Sequence, residues 1–279
     1  GNAVVSISYS HRDTINYQSR AFFRNNRGGT DLRIPTGVYI PGANRPTQEA
    51  IDALFSEYGV APGSVAPNSG LSFNADGTLF SASNGVYNYR GSQGGLLYNA
   101  GSQVNNLNTF LTLQSPLKRY NAFGRVTYDL TDAVTAFAQV NYSEYKTKIL
   151  VEPGNTSLSI PITNAFIPDN LRALLETRPD PTANVQLEKR FQEAGPRVTD
   201  RELEVYQVLG GLRGKLDGID GSWEVYGSHG RTKITETSPG SVLRSSLTAL
   251  INAPDGGDSL CAGGYNPFGI HPLSEECYN

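Results

Sequence analysis

Methionine is missing from the 279-residue chain, tryptophan occurs once and cysteine twice. Each scarcity excludes something. A reading frame opens on methionine, so a chain without one is expected to begin inside a longer protein or after a processing site, and both ends read as cuts. No apolar run comes near the roughly 18 residues of a membrane helix. No basic segment followed by an apolar one opens the chain as a signal peptide would. Neither sign of charge dominates, with 23 Lys and Arg against 26 Asp and Glu, so nothing electrostatic argues for nucleic acid as a partner. The nucleophile elbow, the Walker loop, the dinucleotide fingerprint and the zinc-protease helix are all absent. His11, His229 and His271 stand alone. No catalytic residue, metal or cofactor is therefore expected, and no enzymatic activity.

Glycine and tyrosine are abundant, at 30 and 15 residues, and the strongest pattern is period-two alternation. From Tyr120, one face carries Tyr120, Ala122, Gly124, Val126, Tyr128 and Leu130, and the other Asn121, Phe123, Arg125, Thr127 and Asp129. After a polar turn at Thr131 and Asp132, Val134, Ala136, Ala138, Val140 and Tyr142 alternate with Thr135, Phe137, Gln139, Asn141 and Ser143. A second hairpin repeats the scheme. Tyr206 to Leu216 alternates, Asp217 to Gly221 turns, and Trp223 and Val225 lead the return strand. Ala3 to Tyr9 reads as a further strand. Such alternation fits the hairpins of a soluble sheet, and it fits transmembrane barrel strands, apolar outward and polar inward. Tyrosines bracketing the apolar face, and Arg and Asp on the polar one, favour the barrel.

Between these strands lie long segments rich in Pro, Gly, Asn and Ser, with no sustained strand pattern; they read as long loops. Two short helices interrupt them. Thr47 to Tyr58 places Ile51, Leu54, Phe55 and Tyr58 on one face with Thr47 as N-cap, and Asp169 to Leu175 takes Asp169 as its cap. Phe73 to Phe80 reads as a small hairpin turning at Ala75 to Gly77. Its Asn74, Asp76 and Gly77 echo a calcium loop, but the closing Glu is missing, so a turn is expected. The tail from Pro239 reads as loop.

Cys261 and Cys277 flank a Gly/Pro-rich stretch. They form one local disulfide in an oxidising compartment, or two free thiols in a cytosolic loop. The loops also carry Tyr39, Tyr87, Tyr89, Tyr98, Tyr265 and Phe268. Aromatics there could stack on a sugar ring or an aromatic iron chelator as ligand-binding residues, or pack the loops against each other. On the polar strand faces, Arg125, Arg213 and Lys215 could guide an anionic ligand or pair with Asp129 or Glu224.

Several pieces resemble the barrel portion of TonB-dependent outer-membrane receptors of the long-loop variety. The stretch Phe73-Asn74-Ala75-Asp76-Gly77-Thr78-Leu79-Phe80, the run from Leu113 to Tyr120, the turn Tyr128-Asp129-Leu130-Thr131-Asp132 and the loop Cys261 to Gly269 closing at Cys277 are similar to that family's motifs in type and order. The resemblance implies an all-β fold. Residues 1–279 would be a partial β-barrel domain, about five antiparallel strands of a barrel of about 22, with long extracellular loops carrying two short helices. The plug domain and the C-terminal strands would be absent. It further implies the outer membrane of a Gram-negative bacterium and contact with its lipid. A siderophore, oligosaccharide or similar ligand would bind at the loops, and the TonB complex would engage through the missing plug. Cys261 and Cys277 would form that loop's disulfide. Two other classes stay open: a non-transporting β-rich surface protein, such as an adhesin or autotransporter, and a secreted carbohydrate-binding module or glycoside hydrolase.

Overall fold

Five long strands make one continuous meander, in the order Asn2–Arg12, Leu117–Asp129, Val134–Val151, Arg197–Leu216 and Gly221–Thr237. The computed structural model that contains them describes residues 1–25, 30–31, 33–74, 76–83, 85–91, 96–99, 102–106, 111–216 and 218–278. Strand makes up 43% and helix 15% of the chain, and the sheets are antiparallel, so the class is all-β. Two compact units emerge. One is built from residues 1–15, 112–150 and 198–239, the other from 16–111, 151–197 and 240–279.

The first unit is the meander. Its strands run to 11, 13, 18, 20 and 17 residues, against about 5–6 in ordinary globular sheets. At about 3.3 Å per residue, the longest spans about 66 Å. Arg12 pairs with Leu117, Lys118 with Lys146 and Asp200 with Thr237, whereas Asp129 pairs with Thr135 and Leu216 with Gly221. Both short turns therefore sit at one end of the sheet, and the strand ends leading to the long segments sit at the other. Asp217 and Ala75, expected in turns, lie outside the described residues.

Register shows what the alternation does. Val5 faces Gly124 and Gly124 faces Val140, while Ile7 faces Ala122 and Ala122 faces Tyr142. Asn141 Nδ2 donates to Gln207 Oε1 at 3.4 Å, which brings Tyr142 and Tyr206 to neighbouring positions. Leu212 then pairs with Val225 and Gly214 with Trp223. One face thus carries a band of Val, Ile, Leu, Ala and Gly, and its large members stay open: Val5 is 76% and Ile7 81% exposed. Tyr9 and Tyr120, with ring centroids 4.8 Å apart, join Tyr142 and Tyr206 in a row across four strands at one margin of this band. Tyr128 and Trp223 stand at the other. The opposite face is polar and cross-linked. Asn121 Nδ2 donates to Ser8 Oγ (3.0 Å), Ser143 Oγ to Asn121 Oδ1 (2.9 Å), and the Arg213 guanidinium lies 5.9 Å from the centre of the Phe137 ring.

The second unit corrects the expectation of structureless loops. Strands Asn155–Ile160, Val185–Arg190, Val38–Tyr39, Leu71–Phe73 and Leu79–Ser81 form a second antiparallel sheet in that order. A smaller sheet joins Thr30–Asp31, Ser102–Asn106 and Leu96–Asn99. The core under the larger one gathers Tyr39, Phe55, Phe73, Leu158, Leu171, Leu187, Leu247 and Phe268 from all three chain segments. The small hairpin read at Phe73 to Phe80 forms, with Phe73 paired to Leu79, but the strands Val38–Tyr39, Asn155–Ile160 and Val185–Arg190 carry too little alternation to be read. Their hydrophobic faces exist only because distant segments meet.

The helix at Gln48–Ser56 forms as expected, with Thr47 Oγ1 accepting from the Ala50 amide and Ile51 and Phe55 buried. The helix Asp169–Leu175 buries Leu171, Leu174 and Leu175, but Pro168 is its cap. Asp169 lies inside the first turn, where a carboxylate meets the positive end of the helix dipole. The tail expected to be loop contains the helix Arg244–Asn252, burying Leu247 and Ile251, and the short turn Glu275–Tyr278. Leu247, Leu250 and Ile251 stand at helical spacing within that helix, a signal present in the sequence but not read there as a helix. No described helix is long and apolar enough to cross a membrane.

Candidate functional site

Strand Val185–Arg190 places a charge inside the second unit. Val185 and Leu187 point into the core and Gln186 outward, so the period-two rule turns Lys189 inward as well. Its side chain is fully buried. A single 3-10 turn, Gln192–Ala194, follows and brings Glu193 back to within 3.4 Å of Lys189 Nζ, with the Glu193 side chain 3% exposed. Lys189 Nζ also donates to the carbonyls of Pro35 (2.7 Å) and Gly269 (2.5 Å). Tyr265 Oη donates to Glu193 Oε1 at 3.0 Å. Glu193 Oε2 has no hydrogen-bond partner.

The environment sets the protonation of these groups. Burial lowers the Lys189 pKa and the adjacent Glu193 carboxylate pulls it part-way back. Burial pushes the Tyr265 phenol well up, and the Glu193 charge pushes it further. Tyr265 is thus held neutral, as a hydrogen-bond donor to the carboxylate.

Glu193 and Tyr265 line a cavity of about 230 Å³. Phe191, Val242, Leu247, Leu250 and Leu273 make most of its wall apolar. Leu247 and Leu250 come from the helix Arg244–Asn252, whose N-terminus has no side-chain cap. Behind that helix, Gly256 (φ 71°) and Gly257 (φ 91°) take left-handed conformations, and a Cβ there would strike Phe166 and Leu250. Cys261 and Cys277 form a disulfide, and Cys277 lines the cavity. The last helical turn, Glu275–Tyr278, is held at the rim by Tyr278 Oη donating to the Ala194 carbonyl (3.2 Å) and the Ala262 amide donating to Glu276 Oε2 (3.0 Å). The pocket is smaller than the roughly 300–1,000 Å³ of drug-sized sites. Its lining is mostly apolar, with Ser241, Ser246, Tyr265 and Tyr278 among the polar members.

Of the aromatic loop residues with described side chains, Tyr265 alone lines this cavity. Tyr39, Tyr265 and Phe268 are 1%, 3% and 2% exposed. Phe268 meets Phe73 edge-on at 5.4 Å, and Tyr39 has the Arg178 guanidinium beside its hydroxyl. The rings of Tyr39 and Phe268 are engaged in packing and turn no face to solvent. Tyr87 packs part-buried against the core and pairs its backbone with Ser81, while Tyr89 stands edge-on to Phe80 at 5.3 Å. The Tyr98 side chain lies outside the described residues. Asp76 is occupied within its own turn, accepting from the Thr78 amide and hydroxyl and from Arg90. Among the described residues, no three His, Cys, Asp or Glu side chains come together as a metal site.

Lys189 and Glu193 escaped sequence reading. The signal was present as a lysine in register with Val185 and Leu187, but only a recognised strand makes that register meaningful. No protein-family model, curated protein or solved structure matches the chain.

Proposed function

We propose that the chain is part of an outer-membrane active transporter of the TonB-dependent receptor kind, a section of a larger barrel that binds a scarce ligand outside and imports it with TonB-derived energy. The observation that carries this reading is the inverted sheet of the first unit. An exposed apolar band on one face is bounded by Tyr9, Tyr120, Tyr142 and Tyr206 at one margin and by Tyr128 and Trp223 at the other. Tyr120 and Tyr128 stand about 27 Å apart along the strand, or about 20 Å along a barrel axis once a tilt of about 40° is allowed. That approaches the lipid-facing band of about 25 Å, with aromatic girdles, of outer-membrane barrels. Further strands at both sheet edges would remove the unpaired backbone that lipid does not tolerate. In this reading the second unit is formed by the extracellular segments between the barrel strands, and siderophore, oligosaccharide or a similar scarce nutrient is the ligand class.

The self-contained core of the second unit favours one other reading, a binding module displayed by a non-transporting surface protein or secreted. One experiment separates the two. An antibody raised against this segment is used on fractionated source cells. A heat-modifiable band in the outer membrane, well above the mass of 279 residues, is the expected result. A freely soluble species of the chain's own mass sinks the transporter reading.

A further inference from the structure

We propose that Arg12 and Arg119, on the polar face of the long sheet, grip a small multivalent oxyanion of the polycarboxylate or polyphosphate class. That this anion belongs to the imported ligand rests on the transport reading, in which the polar face lines the barrel. The meeting of the two arginines does not. Register brings them together. Arg119 stands opposite Ser10 on one side and Tyr145 on the other, and Arg12 lies two residues beyond Ser10 on the first strand. Such diagonal positions are about 7–8 Å apart, within reach of long side chains. They share their face with Ser8 and Asn121, which are joined at 3.0 Å.

Charge decides what comes between them. The neighbouring acids are engaged elsewhere. Asp13 Oδ1 lies 2.9 Å from His11 Nε2, and Glu144 and Glu202 lie 2.9 and 2.8 Å from Lys146 Nζ; His11 and Lys146 both belong to the opposite face. On the polar face itself, Glu236 stands 3.9 Å from Arg201. Arg12 Nε donates to the Ser115 carbonyl at 3.1 Å, while Arg119 and the Tyr145 hydroxyl have no partner among the described residues. Like charges side by side across strands repel. An oxyanion between them replaces that repulsion with charge-assisted hydrogen bonds, and the planar guanidinium fork matches carboxylate or phosphate oxygens two at a time. Two cations select a ligand with more than one negative group, and Tyr145 adds a hydroxyl donor beside Arg119. Arg213 is a different case, because Glu224 stands directly opposite it.

The test uses the full chain in a non-ionic detergent at low salt, its strand content checked by circular dichroism, with calorimetric titration of three probes. These are propane-1,2,3-tricarboxylate, pyrophosphate and the neutral trisaccharide raffinose. Expected is saturable binding of at least one anion, the tighter one telling carboxylate from phosphate, and none of raffinose. Arg119→Gln should weaken that binding about tenfold or more, the loss of a charge-assisted pair, and Arg213→Gln should leave it unchanged. No binding of either anion, raffinose bound as tightly as the anions, or an equal loss in Arg213→Gln, the mark of diffuse charge, each overturns the assignment. The probes on the unaltered chain decide the matter even where a variant does not fold. Fractionation of the source cells reports separately on the transport reading: a freely soluble chain that still binds the anion sinks that reading and keeps the site.

Discussion

The two units place their apolar side chains in opposite ways. In the second unit they are inside: Leu71, Phe73, Leu79, Ile160, Leu171, Leu175, Val185 and Leu187 are at most 1% exposed. In the sheet unit, Phe137 is the one apolar side chain buried below a tenth among the described residues, while Val4, Val5, Ile7, Val126, Val140, Val208, Leu212 and Val225 all stand in the open. Both obey the same rule, that apolar surface leaves water. The second unit satisfies it within itself. The sheet satisfies it only if its surroundings are themselves apolar, which is the physical content of the barrel reading. Its polar face, laced by Ser8, Asn121 and Ser143, then takes the place of an interior.

Three substitutions or conditions break or sharpen this contrast. The largest effect is expected at Phe73, fully buried in the second unit. Phe73→Ala should destabilise that unit by about 3–5 kcal/mol, read as a lowered urea midpoint and early proteolysis within residues 16–111. A loss under about 1 kcal/mol, the range of surface changes, would show that the core does not hold the unit together. Next comes Val140, near the middle of the apolar band. In lipid vesicles Val140→Arg should cost about 2–4 kcal/mol, the penalty for arginine at the bilayer midplane. Were that face in water, the change would stay within about 0.5 kcal/mol, so unfolding of this variant in bilayers tests the contrast directly.

The smallest effect is confined to alkaline pH. Tyr265 has a folded pKa raised well above 10.0. Above that ordinary value the unfolded chain gives up the phenol proton while the folded unit keeps it, so the folded state binds more protons and its stability falls as pH rises. Tyr265→Phe should flatten the decline of the second unit's urea midpoint above pH 10 and leave the sheet's profile unchanged. An identical decline in the variant would remove Tyr265 from the account.

How much of this was legible in the sequence differs between the units for one reason. The central hairpins could be read residue by residue, because an alternation of ten or more positions needs no partner to be seen. So could the helix after Thr47, whose cap and apolar spacing are local, and the pairing of two cysteines a short loop apart was already one of two readings. The hairpin at Phe73 to Phe80 was legible from its turn, but strands such as Val38–Tyr39 and Val185–Arg190 have no such signature, and the helical spacing of Leu247, Leu250 and Ile251 went unread in a tail expected to be loop.

Composition and alternation by themselves determined the β class, the long hairpins with their polar turns, and the split of each strand into a wet and an apolar face, since these follow from the pleat and the character of neighbouring residues. Tertiary structure alone decided that the intervening segments share one core, that Tyr39 and Phe268 are buried in it, and that Lys189, Glu193 and Tyr265 meet beside a cavity. Those outcomes depend on contacts between residues far apart in the chain, for which no local pattern exists.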